Sequence, residues 1–390
     1  MDYFQQSLFL HEKLRGKIRM QPKMDITSRE DLSLLYSPGV AEPCLRIAEQ
    51  PDSVWKYTIK SNTVAVISDG SAVLGLGNIG ALASIPVMEG KAMLFKKFAD
   101  IDAFPICIDT QDTEELIATI RRISPVFGGI NLEDISAPRC FEVEDRLQDL
   151  GIPVFHDDQH GTAVVVLAGM INACKLLDKK LQNMKIVING AGAAGVAIAK
   201  LLNASTRGED NNGICVKEVI LCDTKGIVHS GRTDLNDTKR ALLEWTNPNN
   251  ATGTLEDALR DADVFIGVSQ ANLLTADHIR TMNKDAVIFA LANPIPEIMP
   301  EEAYKGGAAI VGTGRSDFPN QINNVLAFPG IFRGALDGHA TRITTKMKLA
   351  AAKAIADSVH DMSNMKIVPD TLNMKVAHEV ARAVKAAIEH

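Results

Sequence analysis

The chain has 390 residues, 46% of them hydrophobic and 23% charged, the balance of an ordinary soluble globular protein with length for two or three domains and a large core. Its 41 Lys and Arg against 48 Asp and Glu leave a net charge of -7, which argues against nucleic acid or an anionic membrane as the main partner; small anions need only a local basic pocket. The six cysteines, Cys44, Cys107, Cys140, Cys174, Cys215 and Cys222, show no CxxC spacing and read as reduced thiols of a cytoplasmic protein, while the N-terminus lacks the apolar run of a signal peptide and no segment reaches the ~18 apolar residues of a membrane span.

Residues 1–20 carry Phe4, Leu8, Leu10 and Leu14 at roughly helical spacing, which predicts an amphipathic helix. A second helix over 29–36 is stopped by Ser37-Pro38-Gly39, so Tyr36 stands at a helix end beside a stiff turn; its plain reading is a half-buried core residue. TVAVIS (63–68) reads as a strand, Asp69-Gly70 as a hairpin turn, and AVLGL as the partner strand. The GLGNIG that follows matches GxGxxG at Gly75, Gly77 and Gly80. It is set aside as a dinucleotide site because it follows a hairpin and no strand-ending acid lies about 20 residues on; close backbone approach is the better use of its glycines.

Residues 84–99 form a helix pattern containing Lys91 among small and apolar neighbours. Burial there would lower its pKa toward that of a working base, the alternative being a helix-surface lysine. A strand at 103–109 and a helix at 113–123 lead to FGGINLEDISAP, in which Glu133 and Asp134 directly follow a short apolar run, the place where an α/β sheet presents its ligands. VFHDDQHGTA (154–163) then puts Asp157 and Asp158 at the start of a long small-residue helix pattern. Either pair alone could be a helix cap and its solvated neighbour. Two acid pairs, each at such a boundary, point to one oxygen-rich site for a hard cation such as Mg²⁺ or Mn²⁺.

A buried helix over 162–177 leads to the apolar strand MKIVI (184–188) and then NGAGAAG, whose Gly190, Gly192, Ala193, Ala194 and Gly195 open the next helix. Here GxGxxG has its proper context of strand, tight turn and helix N-terminus. The polar run RGEDNNG (207–213) delays the second strand, EVILC, which ends at Asp223. A carboxylate there accepts the ribose hydroxyls of NAD and repels the 2′-phosphate of NADP, although Lys225, two residues on, leaves NADP open. Strands at 264–268, 286–291 and 308–314 continue the alternation and predict a doubly wound sheet. Asn293 lies just past the end of one of them, and Asn323 and Asn324 lie between a loop and a helix; these amides either bind substrate oxygens or cap the helix. Two Ala-rich helices, separated by 367–370, form the tail.

Together LLYSPGVAEPC, DGSAVLGLGNIG, EGKAMLFKKFADIDAFPICIDT, NLEDISAP, FHDDQHGTA, GAGAAG, ANPIPE and RSDFPNQINNVLAFPG, spread from about residue 30 to 340, resemble the short prokaryotic form of malic enzyme. The resemblance implies an N-terminal α/β domain for substrate and metal (1–155) followed by a Rossmann-type NAD-binding domain with C-terminal helices (156–390). It implies oxidative decarboxylation of (S)-malate to pyruvate and CO₂ with NAD or NADP and Mg²⁺ or Mn²⁺, in a homodimer. By matching position it implies Lys91 as general base, Tyr36 as general acid, and Glu133, Asp134 and Asp158 as metal ligands with Asp157 behind them. Asn293 and one or both of Asn323 and Asn324 would touch substrate or nicotinamide. Where larger relatives carry an arginine for the substrate carboxylate this chain has Ala72, leaving Lys96 and Arg315 as candidate replacements. A malolactic enzyme that keeps its NAD and releases lactate, an oxaloacetate decarboxylase and an NAD-binding regulator are the rival readings.

Overall fold

The computed structural model describes residues 3–207 and 216–389, so most of the polar run at 207–213, and Cys215, lie outside the described residues. Two sheets organise the chain. The first comprises β1 (Thr63–Ser68), β2 (Asp102–Cys107), β3 (Gly129–Leu132) and β4 (Val154–His156), in the order β2-β1-β3-β4 and parallel throughout. The second comprises β5 (Lys185–Asn189), β6 (Glu218–Asp223), β7 (Gly226–Ile227), β8 (Val264–Gly267), β9 (Val287–Ala290) and β10 (Ile310–Thr313). Its order is β10-β9-β8-β5-β6-β7, parallel except for the two-residue edge strand β7. This is the α/β architecture expected, the second sheet being Rossmann-like.

The hairpin expected after β1 does not form. All six residues of β1 are buried, and its neighbours are the parallel strands β2 and β3. Its four central residues, Val64 to Ile67, are apolar without alternation, which suits a strand covered on both faces, whereas a half-exposed hairpin strand would alternate. The AVLGL segment is instead loop, closed by a single bridge between Val73 and Gly77. Gly75 in that loop is a point of close approach: a Cβ on it would lie 2.3 Å from the Asn293 carbonyl oxygen, beyond the end of β9. The loop thus brings the first sheet's rim against the second's.

Two 20-residue helices frame the space between the sheets. Gly80–Ala99 packs on β1 and β2, and Asp157–Leu176 runs directly out of β4. The chain's end returns to the first sheet, since Phe328 and Phe332 of the helix Phe328–Asp337 stack edge-on against Phe95 at 4.7 and 5.4 Å between ring centroids. That helix lies close on Met374–Ala386, where a Cβ at Gly330 or Gly334 would meet the Ala377 or Ala381 carbonyl at 2.6 or 2.4 Å. One apolar cluster therefore runs from Val64 and Phe155 to Val380 and fixes the two sheets relative to each other. At the other end of the chain, the helix Tyr3–Leu14 buries none of its residues, and Tyr3, Phe4, Leu8 and Phe9 are all more than 60% exposed.

Candidate active site

β3 and β4 are neighbours, with Leu132 paired to His156. The residues that follow each strand, Glu133-Asp134 and Asp157-Asp158, therefore leave the sheet side by side at its C-terminal edge. The carboxylate oxygens of Glu133, Asp134 and Asp158 come within 4.8 Å of one another. Glu133 and Asp134 are buried and Asp158 is a third exposed. The Asp134 backbone is held at φ +54 and donates its N–H to Asp158 Oδ2 at 2.7 Å. Strain of that kind persists where neighbouring contacts impose it. Asn131 Nδ2 donates to Glu133 Oε2 at 2.9 Å, while Asp134 Oδ2 is buried with no hydrogen-bond partner among the described residues.

Lys91 reaches this cluster from the helix Gly80–Ala99. Its Nζ lies 2.6 Å from Asp157 Oδ2 and 2.8 Å from Glu133 Oε1, and 4.4 Å from the centre of the Phe328 ring. The expectation that burial would lower its pKa is not met: burial does act downward, but the carboxylates of Asp157, Glu133 and Asp158 outweigh it and hold the ammonium above its ordinary value. Gly161, one helical turn beyond Asp157, makes room for this arrangement, because a Cβ there would lie 1.9 Å from Asp157 Oδ1 and 3.1 Å from Asn324 Cβ. That glycine was not singled out from sequence, yet its i+4 spacing from an acid is a readable signal.

Four carboxyl groups crowd one ammonium in this pocket, so ionising all of them is opposed. Burial, with the neighbouring charges, pushes Glu133 up to about 7, Asp134 to about 9, Asp157 to about 7 and Asp158 to about 6. A hard divalent cation fits this site on three counts: an all-oxygen donor set, ligand atoms close enough to share one ion, and an orphaned buried oxygen on Asp134. The sign of the pH effect follows from linkage. Each carboxyl is held protonated to higher pH in the folded chain than in the unfolded one, whose acids titrate near ~4. Its stabilising contribution is complete below that value and is lost as pH rises through the folded values of about 6 to about 9. The melting temperature of the chelator-treated chain is expected to fall from about pH 5 to about pH 9, and saturating Mn²⁺ to reverse the fall; a flat profile in calorimetry would remove the charge cluster as its cause.

The second glycine turn lies between β5 and the helix Ala193–Arg207. Gly190 has φ +118 and sits against the Val268 carbonyl, a Cβ on Gly195 would collide with the Gly190 carbonyl oxygen at 1.8 Å, and Gly192 faces open space. These are the three uses of glycine in a dinucleotide turn: tight bend, helix packing and ligand approach. Gly190 and Gly192 line a cavity of about 790 Å³ with Asn189, Asp223, Lys225 and Ser269, while Ala193 and Ala194 form the first residues of the helix.

The remaining expected residues are distributed unevenly. Asn293 is exposed just past β9, at the contact with Gly75. Asn324 lies beside Gly161 and Asp157, whereas Asn323 caps the short 3₁₀ helix Asn324–Leu326 by accepting from the Val325 N–H at 3.0 Å. Tyr36, at the end of the helix Arg29–Leu35, is 68% exposed, so the half-buried core position expected for it is not what the structure has. Nor is either candidate cation free: Lys96 is paired to Asp100 and Asp102, and Arg315 to Asp317.

Two family models match the chain: one for the malic enzyme N-terminal domain over residues 15–148, and one for the malic enzyme NAD binding domain over residues 159–388. The bifunctional malic/malolactic enzyme of Bacillus subtilis is 52% identical, over all of this chain and 94% of its own. The NAD-dependent malic enzyme of Geobacillus stearothermophilus is 54% identical over 95% of this chain and 76% of its own. Among solved structures, the NAD-dependent malic enzyme of Thermotoga maritima superposes with a TM-score of 0.92 at 50% identity, covering 99% of both chains. The acid pairs and the glycine turn thus lie on a chain whose two halves match the two domains of one family in order, and the chain belongs to the malic enzyme family.

Proposed function

We propose that this chain catalyses the divalent-metal-dependent oxidative decarboxylation of (S)-malate to pyruvate and CO₂, reducing NAD or NADP. The observation that carries the reading is the convergence of Glu133, Asp134 and Asp158 oxygens within 4.8 Å, with Lys91 among them and the glycine turn on the facing sheet. We divide the chain at 155/156, the substrate and metal domain preceding the dinucleotide domain.

When bound at the three carboxylates, the cation supplies Lewis acidity to the C2 oxygen of malate, and the dinucleotide at the glycine turn supplies the hydride acceptor. Lys91 is placed to take the C2 hydroxyl proton once its own ammonium proton has passed to Asp157, whose Oδ2 lies 2.6 Å from Nζ. A base is judged first on this kind of reach. The closed packing of Phe328 over Lys91 excludes water from one side. After loss of the C4 carboxylate as CO₂, C3 of enolpyruvate needs a proton, the role we give Tyr36. Its exposure in one chain, and that of Phe4, Leu8 and Phe9, support a homodimer in which a second copy covers this face and encloses the tyrosine. Asn324, beside Asp157, is placed to orient substrate; Asn293, at the junction of the two sheets, is placed to meet the nicotinamide.

Among the described residues no helix is long and apolar enough to cross a membrane, and the five described cysteines are unpaired; we place the chain in the cytoplasm. The name of the Bacillus subtilis relative favours one second reading, malolactic turnover with lactate released and no net reduced dinucleotide. An assay of malate with each dinucleotide separates the two. Reduced dinucleotide and pyruvate are expected in equal amounts with Mn²⁺ or Mg²⁺, and turnover is expected to fall at least about 100-fold on chelation. Lactate without reduced dinucleotide would favour the second reading, and indifference to chelator would remove the metal from the mechanism.

A further inference from the structure

The turn that carries Asp157 and Asp158 is gripped from behind by a residue the mechanism does not use. His156 is the N-cap of the helix Asp157–Leu176, and its side chain makes no cap. In a capping box the third helical residue reaches back to the N-cap N–H. That residue is Gln159, and its Nε2 donates instead to Glu144 Oε2 at 3.2 Å. Glu144, on the helix Arg139–Arg146, takes the N-cap N–H itself, its Oε1 lying 3.0 Å from the His156 nitrogen. His160 completes the set with Nε2 at 3.0 Å from Glu144 Oε2. An ionised carboxylate only accepts, so that ring nitrogen carries the proton.

One carboxylate therefore holds residues 156, 159 and 160, on both sides of the second acid pair. It also belongs to the helix into which the chain runs from the first pair, Glu133 and Asp134. On the face toward the ion site the same two segments are joined by the Asp134 N–H, which donates to Asp158 Oδ2 at 2.7 Å. The Glu144 side chain is 12% exposed, whereas Glu142 and Asp145 on the same helix are exposed. Its oxygens are not part of the cluster able to share an ion. A neutral cap would satisfy the His156 N–H; an acceptor with two oxygens takes that N–H and both side chains at once.

We propose that Glu144 is a positioning residue for the metal site, fixing the Asp157-Asp158 turn so that Asp158 stays within reach of the ion it shares with Glu133 and Asp134. Removing a group that orients metal ligands lowers metal affinity by about tenfold to a hundredfold. The inference rests on the three-carboxylate cluster being the ion site.

The test is Mn²⁺ binding to the full chain, read by electron paramagnetic resonance of the free ion, with steady-state turnover and NADH binding beside it. Glu144→Ala loses all three contacts. Glu144→Asp, one CH₂ shorter, keeps the charge but cannot span from the His156 N–H to His160. Glu144→Gln gives up the charge, yet keeps an oxygen for the His156 N–H and an NH₂ for His160, whose ring accepts once its proton sits on the other nitrogen. Glu144→Ala and Glu144→Asp are expected to weaken Mn²⁺ binding, and to raise the Mn²⁺ concentration for half-maximal turnover, by about tenfold to a hundredfold. Their kcat at saturating Mn²⁺ and their NADH affinity are expected to change far less, and Glu144→Gln to stay near the parent throughout. Mn²⁺ affinity unmoved in Glu144→Ala and Glu144→Asp would overturn the proposal. So would affinity kept by Glu144→Asp and lost by Glu144→Gln, which would make Glu144 a charge rather than a grip. Three variants that all fail to fold would assign Glu144 to the core and overturn it equally. A parent that binds no Mn²⁺ would instead overturn the ion site on which the proposal stands.

Discussion

Asp158→Asn is expected to remove most metal-dependent turnover while making the metal-free chain more stable. The substitution removes one carboxylate from a group whose oxygens lie within 4.8 Å of each other and leaves an amide oxygen that still accepts from the Asp134 N–H. The fold therefore loses mainly repulsion. Catalysis loses a ligand for a Lewis acid whose contribution is several kcal/mol, on the order of 10³-fold in kcat. Calorimetry with and without Mn²⁺ is expected to show the metal-free variant melting above the metal-free parent, and the rise produced by Mn²⁺ nearly gone. A variant that melts lower without metal, yet still rises with Mn²⁺ as the parent does, would place the ion elsewhere.

Lys91→Ala is the second large effect. It removes the ammonium paired to Asp157 at 2.6 Å and to Glu133 at 2.8 Å and so leaves buried anions uncompensated, which is costly. Lost stability alone could then mimic lost catalysis. Lys91→Arg keeps the charge but cannot exchange its proton in the working range. Both variants are expected to lose about 10²- to 10⁴-fold in kcat with malate, Lys91→Arg with a melting temperature near that of the parent. Near-normal turnover by Lys91→Arg in steady-state assay would remove Lys91 from proton handling and leave it a counter-ion.

The parts of this site legible in sequence were those in which local pattern and tertiary position coincide. Glu133-Asp134 and Asp157-Asp158 each follow a short apolar run, and adjacent parallel strands with aligned register bring their ends together. The glycines at 190, 192 and 195 were readable because each has a single steric task between one strand and one helix. TVAVIS was misread as half of a hairpin because Asp-Gly is a turn signal in two-residue loops, and only the burial of both faces distinguishes a central parallel strand.

What stayed hidden was long-range electrostatics. Nothing in EGKAML states that Lys91 will stand between two carboxylates 66 and 42 residues away, so burial was weighed without the charges that reverse it. The cations on Asp223 were hidden for the same reason: Arg232 and Lys239 follow it in the chain, and only the fold returns them to the end of β6. Tyr36 shows the converse limit, since a helix-end tyrosine in one chain carries no sign of what a second copy would place over it.

The account depends most on a single cation being held between the ends of β3 and β4, and diffraction at the manganese edge from crystals grown with Mn²⁺ and malate measures this directly. One anomalous peak is expected, bounded by oxygens of Glu133, Asp134 and Asp158 at about 2.0–2.2 Å, with malate oxygens completing the coordination. Malate bound without a peak there, or a peak whose ligands lie elsewhere, would contradict it.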